Sequence, residues 1–315
     1  MSKTRANVKL EKKNTKFHKE DSALYFMALP TLIYLLIFCY LPMCGLIMAF
    51  QDLNITKGIF KSPLIGFKNF KFLFSTSDAW IITRNTVCYN LVFIVVNLFI
   101  SVSLALMLSS LRSGRYAKTV QTIYMMPYFL SYAVVAIVVN AFLDRDDGLV
   151  NSILKLLGEP GKTNWYHQIK LWPPLLVFVN AWKHVGYQTV LYLAVISGIS
   201  VDYYEAAVLD GATKFQQARY ITIPHLRYIV GISLILSMSS IFRGDFGLFY
   251  NVTMNSGKIY PVTDVIDTYI YRALTYLNNV GMSTAAGLYQ SLVGFVLVLV
   301  VNKIVNKIDP DSAMF

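Results

Sequence analysis

Six apolar runs, at 24–50, 86–111, 119–143, 171–199, 228–243 and 283–305, decide what solvent this chain folds in. Crossing the hydrocarbon of a bilayer takes an α-helix of roughly 20 predominantly apolar residues, and most of the runs reach that length. The composition agrees: 315 residues, 56% hydrophobic and 14% charged, with a mean hydropathy of +0.51. A soluble surface needs about twice that share of charge. The sequence therefore predicts an all-α integral membrane protein with six transmembrane helices. The net charge of +11 is read as basic residues flanking spans and facing anionic lipid, not nucleic acid. Cys39, Cys44 and Cys88 lie in or beside apolar runs. An odd number without CxxC spacing argues against a disulfide framework or a zinc site. The first run is too long for the apolar core of a cleavable signal peptide.

The expected organisation is a basic cytoplasmic tail at 1–22, a transmembrane domain at 23–308 and a short tail at 309–315. Orientation follows the Lys and Arg of the flanks. With the N-terminus inside, fifteen fall on inner segments and eleven on outer ones, the first outer loop running against the trend. The tail and the short RSGRYAK loop set the choice, so both termini are placed in the cytoplasm. The outer loops at 51–85, 144–170 and 244–282 carry aromatic and turn residues. They suit either a docked binding protein or anchoring at the lipid interface by Trp80, Trp165 and Tyr166.

One polar stretch interrupts this oily chain on the inner side: Glu205 to Pro224, EAAVLDGATKFQQARYITIP. Asp202 and Glu205 have capping-box spacing, as do Thr213 and Gln216. Gly211 permits a backbone conformation that a Cβ resists, and Pro224 is expected to stop the second short helix. The product is helix, glycine turn, helix, projecting from the membrane over 201–224. Ala206, Ala207 and Ala212 are small enough to enter a cleft, and Glu205 offers a carboxylate to a basic partner. A capped hairpin by itself is also compatible with a loop that has no partner.

The acid-Ala-Ala opening, the glycine six residues after the acid and the closing Ile-x-x-Pro resemble the EAA loop of ABC importer permeases. Over roughly 24–308 the chain is similar to the permeases of carbohydrate uptake type 1 importers, through ALPTLIYLLIFCYLPM, IGFKNFKFLF, MMPYFLSYAV and WKHVGYQTVLYLAVISGIS. The first-span and outer-loop stretches look most like the subgroup that imports oligosaccharides released from complex glycans. The resemblance implies a type I importer permease fold in a bacterial cytoplasmic membrane, with no catalytic activity of its own. It implies a second homologous permease, two ABC ATPase subunits and an extracytoplasmic binding protein or lipoprotein as partners. No cofactor belongs to this chain; ATP and Mg would be bound by the partner ATPase. Glu205, Ala206, Ala207, Asp210, Gly211 and Pro224 would carry the coupling to that ATPase.

Polar groups inside a membrane are costly, about 2.5–3.5 kcal/mol for a charge at mid-span on insertion scales, so they mark a cavity or a partner. The fourth run carries Asn180, Lys183, His184, Tyr187, Gln188 and Tyr192. Residues 180, 184 and 187 share one helix face. In the fifth, Ser237, Ser240 and Gly244 share another, with Arg243 near the outer end. Hydroxyls, amides and rings suit sugar. By the resemblance, Asn180, His184 and Tyr187, with Ser237, Ser240, Ile241 and Gly244, fall where the larger permease of a maltose importer contacts its cargo. These residues and Lys183 form the expected substrate path. The bland alternative, hydrogen bonding between helices, stays open for the serines and is the preferred reading of Asn90 and Asn97.

Other motifs carry less. Gly158-Glu-Pro-Gly-Lys-Thr163 ends like a P-loop, but position 156 is leucine and no strand precedes it. Asn54-Ile-Thr and Asn251-Val-Thr match glycosylation acceptors by chance. The reading from a different class is a self-sufficient secondary transporter or channel, which would need an intramembrane acid that these runs lack. A third is an accessory subunit that docks an ATPase without moving solute.

Overall fold

The computed structural model describes residues 19–54, 56–111 and 114–308. Most of the basic tail, the C-terminal tail at 309–315 and Arg112 lie outside the described residues. The residues up to Ile47 form one compact unit and those from Met48 another. The first unit holds α1 (Lys19–Leu35), with Pro30 inside it, and the π turn after it; the 3-10 stretch Leu41–Phe50 begins there and ends in the second unit. Together these make an apolar helical run over Tyr25–Phe50.

In the second unit, α2 (Lys68–Ser75) leads into α3 (Asp78–Ser109). Then come α4 (Gly114–Met125), α5 (Tyr132–Leu143), α6 (Leu149–Leu156) and α7 (Trp172–Ser197). The chain continues through α8 (Val201–Leu209), α9 (Lys214–Gln217) and α10 (Ile223–Ser239). It closes with α11 (Tyr260–Thr263), α12 (Ile266–Thr275) and α13 (Val280–Ile308). No strand forms among the described residues; one isolated bridge joins Gln51 and Leu64.

Among the described residues, four helical stretches are long and apolar enough to cross a membrane: Tyr25–Phe50, Asp78–Ser109, Lys214–Ser239 and Val280–Lys303. Two bent pairs bring the number to six if each counts as one span. The expected third span is one of them. It is not a straight helix: Gly114–Phe129 and Tyr132–Leu143 meet at 98°. Pro127 opens a 3-10 turn at Met126–Phe129, Leu130 and Ser131 are extended, and the Ser131 hydroxyl caps α5 by accepting from the Val134 N–H. The fourth run pairs with the short helix after it at 72°.

A break in a span leaves carbonyls without partners, and here Lys183 supplies them. Its ammonium donates to the carbonyls of Tyr128 (2.9 Å) and Pro127 (3.5 Å), and most closely to that of Leu130. A cation at the C-terminal end of a helix also meets the negative end of its dipole. Its three N–H groups match three acceptors, and the Tyr132 ring lies 4.9 Å from it. The residue is buried. Three residues on, Gly186 brings α7 against the end of α4, so closely that a Cβ there would stand 1.9 Å from the Tyr124 carbonyl oxygen.

Trp172, Leu176 and Val179 of α7 pack with Tyr89 and Phe93 of α3 and with Phe249 in one core cluster. A second joins Leu73, Ile82, Ile266 and Met282. A third, of Ala105, Tyr192, Ile196 and Leu226, binds α3, α7 and α10. The loop beyond α5 is organised by fully buried Asn151. Its amide donates to the carbonyls of Asp144, Arg145 and Thr163 and accepts from the Trp165 indole. The P-loop-like segment ends in this knot. Asp144 caps the same loop: the N–H groups of Asp147 and Asp146 hold its carboxyl below the usual range.

Two variants test the packing of the break. Lys183→Met leaves three carbonyls without a donor, at a cost of ~1–3 kcal/mol per buried unsatisfied group, and is expected to lower the thermal unfolding midpoint in detergent. Gly186→Ala forces α4 away from α7 at a cost of ~1–3 kcal/mol and is expected to lower it as well. Unchanged midpoints would remove the break from the list of stabilising features.

Candidate functional site

The stretch between α7 and α10 folds as a helix, a glycine turn and a second helix. The cap of α8 differs from the expected one. Ser200, not Asp202, is the capping residue, its hydroxyl accepting from the Asp202 N–H at 3.3 Å. Serine stands one position before the first helical residue, where the capping geometry requires it. The helix closes in a Schellman motif: the Ala212 N–H reaches the Ala207 carbonyl at 2.8 Å and the Gly211 N–H that of Val208 at 3.0 Å. Gly211 takes φ 77°, which a side chain resists. The second capping box forms: Thr213 and Gln216 exchange bonds at 2.7 and 3.3 Å.

Pro224 does not stop the second helix. Lys214–Ser239 is one helical stretch, widened to a π turn over Ala218–Thr222, with Pro224 in the first turn of α10. There its missing N–H is tolerated. Glu205, Ala206, Asp210, Gly211 and Pro224 are exposed, and Ala207 is half-buried. A hydroxyl pair, Tyr204 to Thr222 at 3.0 Å, ties α8 to the helix that follows. The hairpin also exposes apolar side chains: Leu209 is 88% and Phe215 73% accessible.

A cavity of about 270 Å³ opens between α3, α7 and α10. Of the expected path residues, Asn180, His184, Ser237, Ser240 and Gly244 line it. Lys183, Tyr187 and Ile241 do not. Lys183 is committed to the break below α5; Tyr187 stacks on Tyr128 with ring centroids 4.6 Å apart; Ile241 is buried. The fifth span ends at Ser239 rather than 243, so Gly244 lies beyond the helix instead of on its face. Asn90 holds that irregular segment: its amide donates to the carbonyls of Ile241 and Arg243, both at 2.9 Å.

The wall also contains residues the expected path left out: Asn90, Asn97, Gln188, Ser233, Arg243 and Asp245. Gln188 follows His184 by one helical turn, and that spacing was the available signal. Asp245 was visible only as the neighbour of Gly244. Asn97 donates to the Asn180 amide oxygen at 2.9 Å and Ser101 to that of Gln188 at 3.2 Å. Asn97 therefore packs helices and lines the cavity at once. Tyr132, from α5, hydrogen-bonds His184 Nε2 at 3.1 Å and donates to Asp245. Asp245 also accepts from the Leu248 N–H at 3.2 Å. Burial raises the Asp267 carboxyl above its usual range, although it accepts from the Gly244 N–H and from Gln290. No group of three or more His, Cys, Asp or Glu able to hold a metal is present among the described residues.

Residues 97–310 match the family described as binding-protein-dependent transport system inner membrane component. The chain is 33% identical over 299 residues to protein LplB of Bacillus subtilis (strain 168), covering 93% of this chain and 92% of that protein. It is 31% identical over 293 residues to YteP of the same organism, a polygalacturonan/rhamnogalacturonan transport system permease protein, covering 93% and 90%. A solved bacterial ABC transporter involved in the import of the acidic polysaccharide alginate contains a chain that superimposes with a TM-score of 0.82 at 33% identity, covering 92% of this chain and 97% of that one. The alginate transporter has also been solved in complex with its alginate pentasaccharide-bound periplasmic protein, with a TM-score of 0.80 at 33% identity, 92% of this chain and 96% of that one being covered. With the family match spanning more than half of its residues, and relatives of this similarity along nearly its whole length, the chain belongs to the inner membrane components of binding-protein-dependent transport systems.

Proposed function

We propose that this chain is the membrane-spanning permease subunit of an ATP-driven importer that takes up oligosaccharides handed over by an extracytoplasmic binding protein. It performs no catalysis. A second homologous permease completes the pathway, and two ABC ATPase subunits bind ATP and Mg and hydrolyse the nucleotide on the cytoplasmic side, where both termini lie. Saccharide as cargo is supported by the alginate-importing and polygalacturonan-transporting relatives. The polar wall of Asn180, His184, Gln188, Ser237 and Ser240 suits it as well.

The observation that carries the reading is the hairpin at 201–224. The capped hairpin exposes Val208, Leu209 and Phe215 beside its polar groups, and a cluster of exposed apolar side chains supports a protein contact there. The Glu205 carboxylate and the small Ala206 and Ala207 fit a cleft with a basic lip. Asp210 and Gly211 form the tip, and Pro224 starts the span that the motion reaches. ATP binding closes the ATPases, moves this hairpin and reopens the cavity outward.

Mild-detergent purification of the chain from its host membrane, wild type against Glu205→Lys, tests the contact. The wild type is expected to bring down an ABC ATPase, and the variant to recover at least about tenfold less, the effect of placing like charges together in a desolvated contact. Recovery of equal amounts, or sugar uptake by the reconstituted complex without ATP, would defeat the proposal. Gly211→Ala tests the turn itself: holding a residue with a Cβ at positive φ costs ~1 kcal/mol. Partial loss of ATPase recovery is expected, smaller than for Glu205→Lys.

A further inference from the structure

On the cavity wall several donors are left over, beside one buried acceptor, Asn97 Oδ1, that has no partner among the described residues. The Asn180 amide oxygen is used by Asn97 at 2.9 Å and the Gln188 amide oxygen by Ser101 at 3.2 Å. The NH₂ ends of both residues have no further partner among the described residues, and both side chains line the cavity. Arg243 lines it too, and its guanidinium makes no hydrogen bond or ion pair among the described residues. Asp267, whose charge acts on Arg243, has one oxygen engaged by the Gly244 N–H at 2.5 Å and Gln290 Nε2 at 3.0 Å.

The wall's own carboxylate, Asp245, is answered from behind. One oxygen accepts from the Leu248 N–H at 3.2 Å; the other accepts from Tyr132 and lies 3.9 Å from His184 Nε2. Asp245 itself lines the cavity, but each of its oxygens already has a protein donor, whereas Arg243, two residues away, has no protein acceptor among the described residues. The serines differ: Ser237 and Ser240 donate to backbone carbonyls at 2.8 and 3.0 Å and leave lone pairs for sugar hydroxyls.

We infer that Arg243 is the specificity-determining residue of the cavity and that the cargo is an acidic oligosaccharide of the uronate class. This rests on the import reading above and names the substrate class of the same site. The guanidinium fork takes a sugar carboxylate in bidentate fashion. Asn180 and Gln188 donate to ring and hydroxyl oxygens, and Ser237 and Ser240 accept from hydroxyls. Tyr132 is a positioning residue, holding Asp245 and His184 in place.

The test uses the purified importer with its partner permease and ATPases, without binding protein. Its probes are trigalacturonate and the fully methyl-esterified trigalacturonate, which keeps the rings and removes the charges. The wild type is expected to bind the acid at least about tenfold more tightly than the ester, as charge-assisted bidentate pairs allow. Arg243→Gln is expected to erase that difference while leaving ester binding within about twofold, and Arg243→Lys to restore part of it. A merely structural role for Arg243 would weaken acid and ester alike. Equal binding of acid and ester by the wild type, or an acid preference that survives Arg243→Gln, overturns the inference. ATP-driven uptake of either sugar, measured with the binding protein restored, separates the two readings. Uptake of the ester without acid preference sinks only the substrate class, and failure to bind or import either sugar sinks the import reading and this inference together.

Discussion

The interaction on which the rest of this structure depends is the capture of backbone carbonyls wherever a span departs from the helix. In hydrocarbon no water is available to the polar groups freed by a break, so irregular backbone survives only where protein groups satisfy it. Two breaks matter here. At 126–131 the ammonium of Lys183 takes the carbonyls of Pro127, Tyr128 and Leu130. At 240–244 the Asn90 amide takes those of Ile241 and Arg243, while Gln290 reaches that of Phe242 at 3.0 Å. Donors from α3, α7 and α13 thus hold segments belonging to other spans.

Those two breaks build the cavity. The first swings α5 away from α4, which carries Tyr132 to within reach of His184 and Asp245. The second ends α10 at Ser239 and lets the chain run across the cavity mouth, bringing Arg243, Gly244 and Asp245 to the wall. Straight helices would place none of these groups together. At the opposite end of α10 a π turn joins the hairpin to the span without interruption, and the Tyr204–Thr222 bond holds α8 against it. The hairpin is thereby continuous with the helix that carries Ser233 and Ser237.

The spans were legible because apolar runs of bilayer length allow few other structures, and the hairpin because its glycine and second capping box are local signals. The first cap was read two residues late, since serine and aspartate compete for the same role and Ser200 has the better position. The break in the third span was written in MMPYFL, where a proline sits in mid-run, yet an unbroken apolar pattern outweighs one proline on periodicity alone. Lys183 was read as part of a wet path because charge in a span suggests water. Its partners are carbonyls 53 to 56 residues away in sequence, which no spacing rule reaches. The Tyr132–Asp245 pair spans 113 residues and was out of reach for the same reason.

Sequence marks an intramembrane polar group as important but not the job it holds. The structure separates the jobs by what each group has left over. Lys183 and the Asn90 amide are consumed by backbone, so they shape the breaks. Asn97 donates to Asn180, and the Ser101 hydroxyl is shared between Gln188 and the Val185 carbonyl, so each pair locks two helices while the NH₂ of Asn180 or Gln188 is left over. Packing and lining are not competing roles on α3 and α7; a side chain with both a donor and an acceptor end performs one with each. Arg243 has donors only, and none of them has a protein acceptor among the described residues. On the proposed reading, the carboxylate of an acidic sugar supplies the acceptor that the guanidinium lacks.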